Sequence, residues 1–182
     1  MESALLQKQA DLKKAQKVAH VGSWVWYTKS NRLEWSDEMY RIFGIDPREF
    51  SGDLQDVINR AIHPDDKPAV AASNNSVVQN KKPVPLEYRV VWPDGTQRVV
   101  WAEAGDLQFD KDGNPEKLSG IVQDITERKQ AERQIVKNLE RLRSLYEISQ
   151  FAAMNVRELL DYALDAAIKL TESKIGYIYF YN

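Results

Sequence analysis

Few side chains in this sequence can make or break a bond. Cysteine is absent, which excludes thiolate nucleophiles, disulfides, cysteine-ligated zinc and iron–sulfur clusters. His20 and His63 are the only histidines. His63 stands just before Asp65 and Asp66, a grouping with the donor types of a metal site. The same run, Ile62-His63-Pro64-Asp65-Asp66, reads as a helix stop and restart, with Asp65 or Asp66 as cap and Pro68 in the new first turn. That second reading is adopted, and no metal ligand is assigned. His20 precedes Gly22 at a helix end, where the dipole favours a cation. No serine, histidine and acid fall at a hydrolytic spacing, and no glycine-rich loop is present to cradle a phosphate. The sequence therefore contains no catalytic residues of its own, and any enzymatic output is expected beyond residue 182.

What the chain has instead is aromatic surface, with five Trp, eight Tyr and five Phe. Trp24, Trp26, Leu33, Trp35, Phe43, Tyr88, Val90 and Val122 point inward by parity and are the candidates for an apolar ligand pocket between sheet and helices. An uncoloured small ligand, or a filled core with none, fits that composition.

A second stretch, Gly120-Ile121-Val122-Gln123-Asp124-Ile125-Thr126-Glu127-Arg128, marks a junction. Strand and turn signals precede it; no Gly or Pro follows until Gly176. Asp124 or Thr126 can cap the helix that starts there, and Glu127 suits its positive end. Asp124, Ile125 and Thr126 are thus candidate relay residues, a rigid joint between a sheet and whatever the helix drives.

Around these residues the elements read in order. Residues 4–19 form an amphipathic helix with a thin stripe of Leu5, Leu12, Ala15, Val18 and Ala19, which packs on its own domain or on a copy of itself. Ser23–Thr28 and Arg32–Ser36 form a hairpin. Ser36 or Asp37 caps a short helix that stops at Gly44. A helix over 54–62 and another from about 66 to 79 follow. Strands over 86–92, 96–109 and 117–123 are joined by Pro93-Asp94-Gly95 and by the turn 110–115. Two strands, several helices and three strands predict an α+β fold with an antiparallel sheet covered on one side.

Thr126 to about Ala152 predicts one long helix. Ala131, Ile135, Leu142, Leu145 and Ala152 fall at a and d positions, with Arg128, Asn138 and Ser149 as polar members; the seam suits a parallel coiled coil, and so a homodimer, in preference to the alternative of packing on a neighbouring domain. Asn155–Glu158 opens a further apolar helix, and 175–181 predicts a strand. A lone strand has no sheet to join, which reads as a second domain cut after its first strand.

Composition sets outer limits. The chain is 43% hydrophobic and 29% charged, with net charge -2. A slightly acidic protein is a poor partner for nucleic acid, which needs a basic surface. No apolar run reaches the ~20 residues of a membrane helix, residues 1–8 lack a signal-peptide apolar core, and a cytoplasmic location is expected.

Four stretches together resemble a PAS sensor domain with its C-terminal PAC motif: Val21–Trp24, Tyr40–Pro47, Trp92–Gly95 and Ser119–Lys129. Ile62–Asp66 adds to the likeness. The resemblance implies a five-stranded antiparallel sheet with helices over one face across residues 21–125. An N-terminal helix over 1–20 and a signalling helix over 126–152 flank it. It also implies a signal-transmission role for Asp124-Ile125-Thr126. The segment from about 142, including 153–182, resembles the start of a GAF domain. Chains of that order resemble sensor histidine kinases, or cyclases and phosphodiesterases acting on cyclic dinucleotides. Family cofactors fit this sequence poorly. Cysteine-linked flavin or chromophore is excluded, and haem finds no His, Cys, Met or Tyr ligand on the helix 66–79.

Overall fold

The five strands hydrogen-bond in the order β2-β1-β5-β4-β3, every pair antiparallel. They are β1 (Val21–Tyr27), β2 (Arg32–Trp35), β3 (Leu86–Val91), β4 (Gln97–Phe109) and β5 (Pro115–Asp124). The helices are α1 (Glu2–Ala19), α2 (Asp37–Phe43), α3 (Leu54–Ala61), α4 (Lys67–Asn80), α5 (Thr126–Gln150) and α6 (Val156–Thr171), with one 3₁₀ turn at Pro64–Asp66. This computed structural model describes residues 2–80, 84–150 and 156–177. The chain divides into two units, one ending at Glu127 and the other beginning at Arg128.

Strand alternation builds the core of the first unit. Trp26, Leu33, Tyr88, Val90, Val100, Leu118 and Val122 are buried on one sheet face. Met39, Ile42 and Phe43 of α2, Val57, Ile58 and Ala61 of α3, and Val70 and Val77 of α4 cover them. The result is an α+β layer structure with its helices gathered on one face.

Two glycines let the layers approach. A Cβ on Gly22 would meet the Met39 sulfur at 2.6 Å, so α2 lies directly on β1. Gly44 ends α2 at φ 64°, in the left-handed region that glycine tolerates. The Trp92 ring occupies the space its side chain would need, and the Trp92 indole donates to Ile42 O at 2.9 Å. Trp92 therefore satisfies a carbonyl that the end of α2 leaves open.

Several caps differ from expectation. Ser36 precedes α2 but makes no capping bond; its hydroxyl accepts from Ser23 N across the hairpin. The His63 ring, and neither aspartate, caps the 3₁₀ turn by accepting from Asp65 N. Asp66 instead grips Arg89 of β3, with contacts of 2.7, 2.8 and 2.9 Å. A charged acceptor with a bidentate guanidinium and a backbone N–H in reach gains more there than at a helix end.

Helix α1 lies against its own unit, one of the two expected arrangements, but not through its apolar stripe. Leu12 and Val18 stay exposed. Polar contacts fasten the helix to its own unit: Lys13 pairs with Asp37, Gln16 with Ser23, and Ala19 O accepts from Gln123. In the second unit, α5 ends its described course at Gln150, and residues 151–155 lie outside the described residues. Of the strand expected over 175–181, residues 175–177 are not in a strand and the rest lies outside the described residues.

Candidate functional site

Between sheet and helices lies a cavity of about 100 Å³. Small residues make its floor. Trp24 pairs with Gly120 across β1 and β5, and Ala104 pairs with Gly120 across β4 and β5. The Trp24 ring lies where a Gly120 side chain would be, 2.5 Å from the ideal Cβ. Ala102 and Ala104 leave further room beside it, and Val70, Ser73, Asn74 and Val77 of α4 form the opposite wall. The floor is thus low at Ala102 and Ala104, where a packed core would carry larger residues, and Gly120 gives the Trp24 ring its seat beside it.

Seven of the eight sequence candidates line this space: Trp24, Trp26, Leu33, Trp35, Phe43, Tyr88 and Val122. Val90 does not; it is 0% exposed and packed in the core beside it. Trp35 stacks on Phe50 at 4.4 Å and tilts against Phe43 at 4.8 Å, so one end of the cavity is a rigid aromatic group. Parity found Trp24, Trp26, Leu33, Trp35, Tyr88 and Val122 on the strands and passed over Leu86, Ala102, Ala104 and Leu118. The helix residues Met39, Val57, Ile58, Val70, Ser73, Asn74 and Val77 were missed, because their strongest signal was ordinary core spacing.

The walls are mostly apolar, and the volume is well below the ~300–1,000 Å³ of pockets for cofactor-sized ligands. A flavin or haem does not fit that space, and without cysteine no thiol adduct can form. No cluster of three His, Asp or Glu among the described residues is placed to hold a metal.

The candidate relay residues sit at the end of β5. Asp124 Oδ1 accepts from Thr126 N at 2.9 Å and from the Thr126 hydroxyl, so Asp124 holds the first turn of α5. Ile125 is buried, and its N–H donates to Val99 O at 2.9 Å. Thr126 Oγ accepts from Val99 N at 2.9 Å. The three residues thus extend the β4–β5 ladder into the start of the helix. Val122, two residues upstream on the same strand, lines the cavity.

Other groups meet at the same corner. Asp124 N donates to His20 O at 3.0 Å, tying the end of α1 to the joint. Asp124 Oδ2 lies 3.5 Å from the Arg98 guanidinium, which stacks over the Trp92 ring with 4.9 Å to its centroid. Glu38 is buried and paired with Arg41 at 2.9 Å, with His20 Nδ1 at 3.8 Å. Trp92, Arg98 and Val99 were not anticipated. For Arg98 a signal existed: it shares the inward parity of Val100 and Ala102 on β4, an unusual place for a charge. The open recess here, about 290 Å³, is lined by Lys17, Arg41 and Arg98 and by Glu38, Asp124 and Glu127. Balanced charges give it no preference for an anion or a cation.

Electrostatics elsewhere are structural. The Arg89 guanidinium holds Asp66 below the usual carboxylate range. Lys29 and the backbone N–H of Asn114 bring Asp110 down to about 2, which fixes the turn between β4 and β5.

Residues 32–122 match the family model described as the PAS fold. A probable diguanylate cyclase, DgcE, of Escherichia coli is 27% identical over 128 residues, which cover 70% of this chain and 11% of that protein. A blue-light-activated histidine kinase of Brucella ovis is 33% identical over 115 residues, covering 63% of this chain and 22% of that one. The chain therefore corresponds to a small part of either relative. Among solved structures, a sensory box histidine kinase/response regulator from Burkholderia thailandensis superposes with a TM-score of 0.57 at 26% identity, over 72% of this chain and 97% of that one.

Proposed function

The chain belongs to the PAS fold family, and from that premise we propose that it is a non-catalytic sensory and dimerising module of a signal-transduction protein. A ligand or partner changes the first unit, and Asp124, Ile125 and Thr126 carry the change into α5. The observation that carries this reading is the continuity of β5. Val122 touches the cavity, and Asp124, two residues on, holds the first turn of α5. A ligand biases such a joint only by its differential affinity for two states of it, so the cavity and the joint must share an element.

The a/d face of α5 supports a parallel homodimer. Ile135, Leu142 and Leu145 are exposed, and a seam of that spacing is covered by a second copy of the helix. In this reading the parent is a cytoplasmic sensor histidine kinase, with a GAF-like domain beginning near residue 142. No described helix is long and apolar enough to cross a membrane.

Two other readings have their own support. The likeness to a probable diguanylate cyclase favours a cyclic-dinucleotide output. The modest cavity volume favours a constitutive scaffold with no ligand. The test is Asp124→Ala in the full parent, with kinase and cyclase output measured beside folding. Altered output with intact folding is expected; unchanged output with intact folding refutes the relay. Whichever activity is present names the output.

A further inference from the structure

Among the described residues that line the cavity with an unpaired polar group, Tyr88 is the buried one, while Trp24, Trp35 and Asn74 are half-buried. The residue is 9% exposed. Its hydroxyl makes no hydrogen bond to any described residue. Among the described residues the one sealed and unpaired side-chain polar atom is Arg98 Nε. The Tyr88 hydroxyl is therefore unpaired without being sealed. Tyr88 lines the cavity, and the cavity is where an unsealed hydroxyl on so buried a residue finds room. Burial alone pushes the phenol above the ordinary tyrosine range, so at neutral pH it is a donor.

The neighbouring polar groups are differently placed. Trp26 donates its indole N–H to Asn31, and the Ser73 hydroxyl donates to Val84 O at 3.1 Å. Glu103, the only charged lining residue among the described residues, is exposed. A charged ligand would find no buried counter-charge here, and an apolar wall penalises it heavily. A wholly apolar ligand would leave the phenol unpaired, which also costs free energy. Size narrows the class further. At about 100 Å³ the cavity is of the same order as the roughly 150 Å³ apolar cavity that accommodates benzene, which makes benzene's size the upper bound.

We propose that the cavity takes a small neutral molecule, mostly apolar and no larger than about six non-hydrogen atoms, whose single carbonyl-type oxygen accepts a hydrogen bond from the Tyr88 hydroxyl. The proposal rests on the sensory reading above and names its ligand class. Tyr88 is on β3, whereas the joint is on β5, so the ligand bridges the far side of the sheet to Leu118 and Val122.

The test uses two isosteres, cyclopentanone and methylenecyclopentane, titrated into the intact chain in sealed tubes. Saturable amide shifts at Ala102, Leu118 and Val122 in a heteronuclear NMR spectrum report binding. Cyclopentanone is expected to bind at least tenfold tighter. In Tyr88→Phe its affinity should fall about tenfold and the two probes should converge. Equal binding of both probes to the natural chain overturns the ligand class while leaving the sensory cavity standing, and so does a preference that survives Tyr88→Phe. Failure of both probes to bind the natural chain up to their solubility overturns the cavity reading itself. Should Tyr88→Phe not fold, the preference shown by the natural chain decides alone.

Discussion

The Val99 amide nitrogen lies 2.9 Å from the Thr126 hydroxyl oxygen, so the first side chain of α5 satisfies a backbone group of β4. The Val99 carbonyl is matched in turn by Ile125 N at 2.9 Å. Strand and helix are consequently joined through 27 residues of sequence separation. The helix start cannot move without disturbing the end of the sheet.

Thr126→Val keeps the shape of the side chain and removes this acceptor. A part-buried N–H left unpaired costs roughly 1–3 kcal/mol. The urea midpoint is expected to fall accordingly, with the Val99 amide exchanging hydrogen faster than its neighbours on β4. Exchange at Val99 as slow as in the natural chain would refute the bond.

Gly120→Ala tests the seat of the Trp24 ring beside the cavity. The new Cβ would stand 2.3 Å from Glu103 O and 2.5 Å from the Trp24 ring. The Trp24 ring can turn aside, but the Glu103 carbonyl is backbone of the neighbouring strand. Overpacking of this kind costs about 1–3 kcal/mol or more. A lower melting temperature and a changed tryptophan emission are expected. A variant as stable as its parent would show that β4 and β5 are further apart than described.

Acid stability should report Asp110. Lys29, then the backbone N–H of Asn114, depress its carboxyl to about 2 in the folded state. A depressed folded value means the unfolded chain binds the proton more readily. The contribution is therefore complete above the ordinary aspartate value, roughly pH 4, and is lost as pH falls towards 2. Asp110→Asn should flatten the fall in urea midpoint between those values. An identical pH profile in the variant counts against the Lys29–Asp110 pair.

The helix seam makes a separate prediction. Ile135→Glu and Leu142→Glu place charges at a and d positions that are exposed in the single chain. Sedimentation velocity at tens of micromolar is expected to show a dimer for the natural chain and a monomer for the double variant. The unfolding midpoint of the first unit should stay the same. A natural chain that is monomeric in that range removes the seam from the reading, since each tenfold in affinity is only about 1.4 kcal/mol.

Much of the architecture was legible before any coordinates. Period-two alternation located all five strands, because a half-buried sheet forces apolar residues to one face. It placed Trp24, Trp26 and Tyr88 on the cavity side as well. Gly44 and Pro93-Asp94-Gly95 marked breaks whose backbone demands are local. A cap for α5 at Asp124 or Thr126 was legible for the same reason, and the structure gives that bond to Asp124, whose partner is two residues away.

Competition between distant partners was not legible. Ser36, Asp65 and Asp66 each qualify as a helix cap by type, yet Ser36 bonds Ser23 and Asp66 bonds Arg89. A side chain takes the partner that offers the larger gain, and a guanidinium 23 residues away is invisible to a local pattern. Trp92 gave a turn signal, and the sequence did not say that its indole would close the end of α2 or lie under Arg98.

The amino-acid sequence by itself determined the element order, the inward set of aromatics and the break between sheet and helix, since each follows from neighbours within one turn or one strand. The tertiary structure alone decided that Ala102 and Ala104 lie together as a floor beside the Trp24 ring, that Val90 is sealed outside the cavity, and that Val99 binds Thr126. These depend on strand register, and register is fixed by the packing of the whole sheet face, where a slip of one residue would turn every side chain over.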